Sequence, residues 1–111
     1  MAYDEDLADR IRELMIDEPA LTERKMFGGL AFLIDGNMAV AASGQGGLMV
    51  RVDPELSEAL IAASSARPLE MRGRQMPGWL RVDTDALRTT RQLATWVERG
   101  TSFARSLPAK R

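Results

Sequence analysis

The sequence predicts a two-layer α+β domain, an antiparallel sheet of about five to six strands packed against helices in the order α-β-β-β-β-α-β-β-α. Three observations predict it. An apolar stripe at helical spacing opens the chain, short apolar runs punctuated by glycine fill its middle, and a longer helical stripe closes it. Strands joined by turns this short must run antiparallel, and the helical stripes need a sheet face to cover. A chain of 111 residues has room for one core, so a single domain over 1–111 is expected.

Residues 4–16 read as the first helix, with Leu7, Ile11, Leu14 and Met15 on one stripe and Asp4, Glu5 and Asp6 at the positive end of the helix dipole. Pro19 ends it. Four strands follow at Arg24–Phe27, Leu30–Ile34, Met38–Ala42 and Leu48–Val52. Asp35-Gly36-Asn37 reads as a tight hairpin turn, and Gly44-Gln45-Gly46-Gly47 as another. In the fourth strand Leu48, Val50 and Val52 share one face and Met49 and Arg51 the other, the alternation of a sheet covered on one side.

Asp53-Pro54-Glu55 opens a second helix, since aspartate caps well and proline at the first helical position loses no hydrogen bond. Its buried face is expected to be Leu56, Ala59, Leu60 and Ala63. Residues 66–78 read as irregular apart from a short strand at Leu69–Arg72, and Trp79–Val82 as the last strand. Thr89-Thr90-Arg91-Gln92 fits a capping box at the start of a final helix. Leu93, Trp96, Val97, Gly100, Phe103, Ala104 and Leu107 keep helical spacing across Gly100, which predicts one helix with a weak point there, stopped at Pro108. The basic end at Lys110 and Arg111 is expected to fray.

Composition excludes much chemistry. With no histidine and no cysteine, the chain cannot build Ser-His-Asp or Cys-His catalysis, thiolate redox chemistry, structural zinc, iron–sulfur sites or disulfides. An apolar content of 45% and a charged content of 28% describe an ordinary globular chain. The acidic start does not resemble a secretory signal, and no apolar run approaches the roughly 18 residues of a membrane span, so a cytoplasmic protein without membrane contact is expected. No cofactor is expected.

Charge is unevenly divided. Residues 1–58 hold 5 basic and 12 acidic side chains, net −7, and residues 59–111 hold 10 basic and 4 acidic, net +6. Arg67, Arg72, Arg74, Arg81, Arg88 and Arg91 are all arginine, the side chain suited to bidentate contact with phosphate or carboxylate. Arg24, Lys25, Arg72, Arg74 and Arg81 are the candidate contacts for a partner protein or for nucleic acid. Asp53, Glu55, Glu58, Asp83 and Asp85 could in principle supply carboxylates for acid–base work or Mg²⁺, but their places at helix starts explain them as caps. Five of seven methionines, Met26, Met38, Met49, Met71 and Met76, lie in or beside predicted strands, where thioethers serve as adaptable filler or as a hydrophobic partner surface. A sheet of this kind could bury its second face against another copy of the chain, a homodimer.

The run Thr22-Glu23-Arg24-Lys25-Met26-Phe27-Gly28-Gly29, followed by Asp35-Gly36-Asn37-Met38 and Leu48-Met49-Val50-Arg51-Val52, resembles the TfoX/Sxy family, in its TfoX N-terminal domain. The stretch from Pro68 through Arg74 to Gly78-Trp79, with Leu93 to Trp96, is similar to one bacterial branch of it. The resemblance implies a small bacterial α+β domain standing alone, without the C-terminal domain of the competence regulators. Those regulators are thought to act with the cyclic-AMP receptor protein at promoters. The resemblance brings no catalytic residues. The function expected is therefore a non-enzymatic binding domain acting through protein contact in transcriptional or competence-like regulation. Direct nucleic-acid binding through the arginine-rich surface and a carboxylate/Mg²⁺ enzyme are the alternatives.

Overall fold

A computed structural model describes residues 3–26, 28–71 and 73–109, with the backbone alone considered at residue 71. Phe27, Arg72, Lys110 and Arg111, each part of a reading above, lie outside the described residues. The element order matches the prediction: α1 Glu5–Leu14, β1 Leu21–Met26, β2 Gly29–Ile34, β3 Asn37–Ala42, β4 Leu48–Arg51, α2 Ser57–Ala63, β5 Arg67–Met71, β6 Arg74–Val82 and α3 Thr90–Ser106. The strands form one six-stranded antiparallel sheet in the order β1-β2-β3-β4-β6-β5.

Helix α1 starts where Asp4 accepts a hydrogen bond from the Leu7 amide at 3.1 Å. Leu7, Ala8 and Ile11 bury its inner face and Met15 continues it, whereas Leu14 is turned outward and exposed. The capping box at α3 forms in full: the Thr89 hydroxyl accepts from the Gln92 amide, and the Gln92 side-chain oxygen accepts from the Thr89 amide, each at 3.0 Å. Helix α3 runs unbroken through Gly100. The position expected to be a weak point is the point of closest approach: a Cβ there would lie 2.3 Å from the Ala39 carbonyl oxygen and 2.9 Å from Val40 Cγ1. Glycine lets α3 lie directly on β3.

The main core gathers Leu7 and Ile11 of α1, Phe32, Val40, Leu48, Val50, Leu80 and Val82 of the sheet, and Leu93, Trp96 and Val97 of α3. All three helices pack toward this cluster, α2 through the half-buried Leu60 and Ile61. Strand β4 alternates buried and half-buried positions as predicted, but all six positions of both β2 and β3 are buried, so both faces of the sheet are apolar at its centre.

Two local readings need correction. Pro54–Leu56 is a 3₁₀ turn, capped by Asp53, and α2 proper begins at Ser57. The tighter winding shifts the phase of the following turns, so Leu56, Ala59 and Ala63 are exposed and Ser57, Leu60 and Ile61 point inward. Strand β6 spans nine residues where only Trp79–Val82 was expected. Pro77-Gly78 reads as a break in sequence, yet the strand continues through it because the β5–β6 pairing shifts register between Pro68 and Glu70, and Gly78 takes φ +85°.

Candidate interaction surface

Antiparallel register assigns every strand residue to a face. Phe32, Val40, Val50 and Leu80 point to the helices, and the alternate residues point away except at the β2–β3 irregularity, where Ala39 joins Val40 on the helix side and Met38 falls on the other face. On that second face Arg24 lies opposite Ala31, Ala31 opposite Ala41, Ala41 opposite Met49, Met49 opposite Arg81 and Arg81 opposite Arg67. One transverse row therefore reads Arg, Ala, Ala, Met, Arg, Arg. Ala31, Leu33, Met38 and Ala41 form a second apolar cluster there, with Met26, Met49 and Trp79 half-buried against it. Every member belongs to a strand.

The four basic candidates among the described residues, Arg24, Lys25, Arg74 and Arg81, do not gather into one patch. Arg24 and Arg81 share the row but stand four strand spacings apart, about 19 Å at the usual ~4.8 Å per spacing. Lys25 lies opposite Leu30 and so belongs to the helix side of the edge strand. Arg74 is exposed beside the β5–β6 turn, opposite Met71. Arg72 lies outside the described residues.

Arg81 is engaged within the fold. Its guanidinium donates to the Gly46 carbonyl at 2.7 Å, to the Gln45 carbonyl at 3.3 Å and to the Ser43 hydroxyl at 3.3 Å, fastening the β3–β4 turn. That turn closes through Ser43 N–H to the Gly47 carbonyl and Gly46 N–H to the Ser43 carbonyl, each at 3.0 Å. Arg67 pairs with Asp83 at 2.5 Å and Arg88 with Asp85 at 3.2 Å.

Arg51 had no assigned role in the sequence reading. Its guanidinium lies 5.3 Å from the centre of the Trp79 ring and 5.6 Å from that of Phe103, held between two π faces at one end of the sheet. The alternation of Met49 with Arg51 signalled this face; Phe103, brought from α3, carried no such signal.

Ion pairs tie α1 to the sheet and α3 to the α1–β1 connection. Arg12 of α1 grips Glu23 of β1 through two hydrogen bonds, 2.6 and 2.9 Å, and also meets Asp9 at 2.5 Å. The hydrogen bonds from Arg12 hold the Glu23 carboxyl below its ordinary pKa and push the guanidinium's own above the usual arginine range. Arg105 of α3 holds Glu18 the same way and lowers its pKa. Of the carboxylates weighed for Mg²⁺, Asp53 caps the 3₁₀ turn, Asp83 and Asp85 pair with arginines, and Glu55 and Glu58 line a cleft beside Trp79. Among the described residues, no three acidic side chains converge as a metal site requires. No described helix is long and apolar enough to cross a membrane.

The architecture defines a small α+β domain whose open antiparallel sheet carries all three helices on one face and an apolar, methionine-bearing strip on the other. The chain belongs to the TfoX N-terminal domain family, whose model matches residues 13–104. The match spans every element from the end of α1 to the last turn of α3. No curated protein matches the chain.

Proposed function

We propose that this domain is a non-enzymatic protein-contact module in transcriptional or competence-like regulation, and that it meets its partner with the helix-free face of the sheet. The observation that carries the reading is the second apolar cluster, in which Met26, Met49 and Trp79 stand over a floor of Ala31, Ala41, Leu33 and Met38. Ala31 and Ala41 are themselves buried, so the surface offered to a partner is that of the half-buried Met26, Met49 and Trp79 above them, whose thioethers adapt to what arrives. Arg24 and Arg67, at the ends of the row, supply a polar rim around an apolar centre. Family membership supports a regulatory role.

Met49→Arg, which sets a charge in the middle of this strip, is the test. Wild type captures a partner from lysate of its own organism; Met49→Arg, folded by circular dichroism, loses that partner, and an Arg24→Ala/Arg74→Ala double variant keeps it. Equal recovery by wild type and Met49→Arg overturns the reading. Loss in the arginine variant alone, with binding to DNA or RNA that falls steeply with salt, moves the function to nucleic acid. Light scattering on the pure protein reports whether the captured partner is a second copy.

A further inference from the structure

The strip of the second face ends at Trp79, and beside Trp79 the molecule has a cleft of about 310 Å³. Its walls come from the 3₁₀ turn, α2 and the paired strands β5 and β6: Pro54, Ile61, Pro68, Pro77 and Trp79. The cleft is built into the fold. The Ser57 hydroxyl, on a residue only 7% exposed, accepts a buried hydrogen bond from the Gly78 amide at 2.8 Å, and the Gly78 carbonyl accepts from the Val52 amide at 2.8 Å. Gly78 has φ +85°, and a Cβ there would press on Pro54 Cγ and the Val52 carbonyl oxygen at 3.0 Å, so a side chain in this wall is strained both by its backbone angle and by its contacts.

The charged residues lining this cleft are Glu55 and Glu58, both exposed at its rim, and neither takes part in an ion pair among the described residues. A slot whose walls are part apolar, from proline, Ile61 and the Trp79 indole, and part polar, with two carboxylates at its rim, complements a cation carried on an apolar stem. The stem lies along proline and indole while the head meets the carboxylates, as lysine and arginine side chains do when they snorkel. The Trp79 ring already accepts one guanidinium, that of Arg51, so its π system serves as a cation seat in this fold. We propose that the cleft between the Pro54–Ser57 turn and β6 is a docking site for a lysine- or arginine-bearing apolar segment of a partner protein. This site shares Trp79 with the sheet-face strip, but its proline walls and carboxylate rim lie outside that strip, and it does not depend on the sheet-face reading.

The test uses the whole chain and two short end-blocked peptides, one alternating leucine with lysine and the other leucine with glutamate. Binding is followed by calorimetry and by the NMR shifts of the Trp79 indole N–H and the Gly78 amide. The lysine peptide binds, moves both signals and weakens as salt rises; the glutamate peptide does not. Glu55→Gln/Glu58→Gln weakens the lysine peptide about fivefold, the scale of two exposed charge pairs, while the variant keeps the wild-type circular dichroism. Met49→Arg leaves peptide binding as it was, so failure at the cleft and failure at the sheet face are separable. The proposal is overturned if the lysine peptide fails to bind at millimolar concentration, if both peptides bind alike, or if the double variant binds as the wild type does. Displacement of the peptide by an equal concentration of spermidine assigns the cleft to free cations and also overturns it.

Discussion

Replacing Gly100 by alanine sets two opposed effects against each other in one methyl group. On helix propensity alone, glycine to alanine inside a helix stabilises by about 1 kcal/mol. Here the new Cβ would sit 2.3 Å from the Ala39 carbonyl oxygen, 3.0 Å from the Ala39 carbonyl carbon and 2.9 Å from Val40 Cγ1. The oxygen and carbon belong to the backbone of a central strand and cannot swing aside. Relief requires α3 to lift from β3 by about 1 Å, and a gap of that size forfeits a quarter to a half of each affected van der Waals contact. Overpacking of this kind costs about 1–3 kcal/mol, and a 2.3 Å approach to backbone places this case at about 2–3 kcal/mol, so after the propensity gain of about 1 kcal/mol the expected net loss is about 1–2 kcal/mol. At about 2.1 cal/mol/K of unfolding entropy per residue, a chain of 111 residues loses roughly 4 °C of melting temperature per kcal/mol. Calorimetry is expected to show Gly100→Ala melting about 4–9 °C below wild type. Ser102→Ala, on the exposed side of the same helix, is the propensity control and melts at or slightly above wild type. A Gly100→Ala protein that melts above wild type refutes the argument that contact with β3 fixes this glycine.

Thr101 is buried and its hydroxyl has no hydrogen-bond partner among the described residues, so Thr101→Val, nearly equal in shape, is expected to stabilise by about 1 kcal/mol in denaturant titration; a lower midpoint contradicts this. Arg81→Ala frees the Gln45 and Gly46 carbonyls, and hydrogen exchange of the Ser43–Gly47 turn is expected to quicken about tenfold, the effect of a loss near 1–2 kcal/mol; unchanged protection would show that the turn holds without it. Glu18 has a folded pKa below its ordinary value because Arg105 donates hydrogen bonds to its carboxylate. On acidification the unfolded chain therefore takes up this proton first, and the contribution is present above about pH 4.5 and lost as pH falls through the folded value. Melting curves of wild type and Arg105→Ala should converge below that pH; a constant difference down to pH 2 removes the pair from the acid response.

Element order was legible because each helix and strand carries its own period and its own punctuation. Leu48-Met49-Val50-Arg51 alternates in sequence and alternates in space, and Thr89 with Gln92 forms the box that its spacing announces. What failed needed partners distant in sequence. The phase of α2 is set by a 3₁₀ turn and by Ser57 reaching Gly78, a hydrogen bond between residues 21 apart, so an apolar count over Leu56, Ala59 and Ala63 pointed to the wrong face. Strand β6 continues through Pro77-Gly78 because β5 shifts register to accommodate it. The arginine-rich segment looked like one surface because its members are close in sequence. In the fold Arg81 fastens a turn, Arg67 and Arg88 meet aspartates, and Arg74 is exposed at the hairpin end. The second apolar face was half legible: Met49 and Arg51 showed that a second face existed, while the alanine floor emerged only from pairing β2 with β3.

The placement of α3 has a consequence for the protein during synthesis. Strands β1 to β4 pair each with its sequence neighbour, and short loops of this kind close early. Yet the apolar face of that meander, Phe32, Val40 and Val50 included, is sealed by a helix encoded after every strand. A nascent chain that has already paired four strands therefore displays oily surface on the ribosome until residue 106 has cleared the exit tunnel. At about 5–20 residues per second this interval lasts several seconds, long enough for a chaperone to matter. Within that interval the Gly100 contact with Ala39 is the latch still to close.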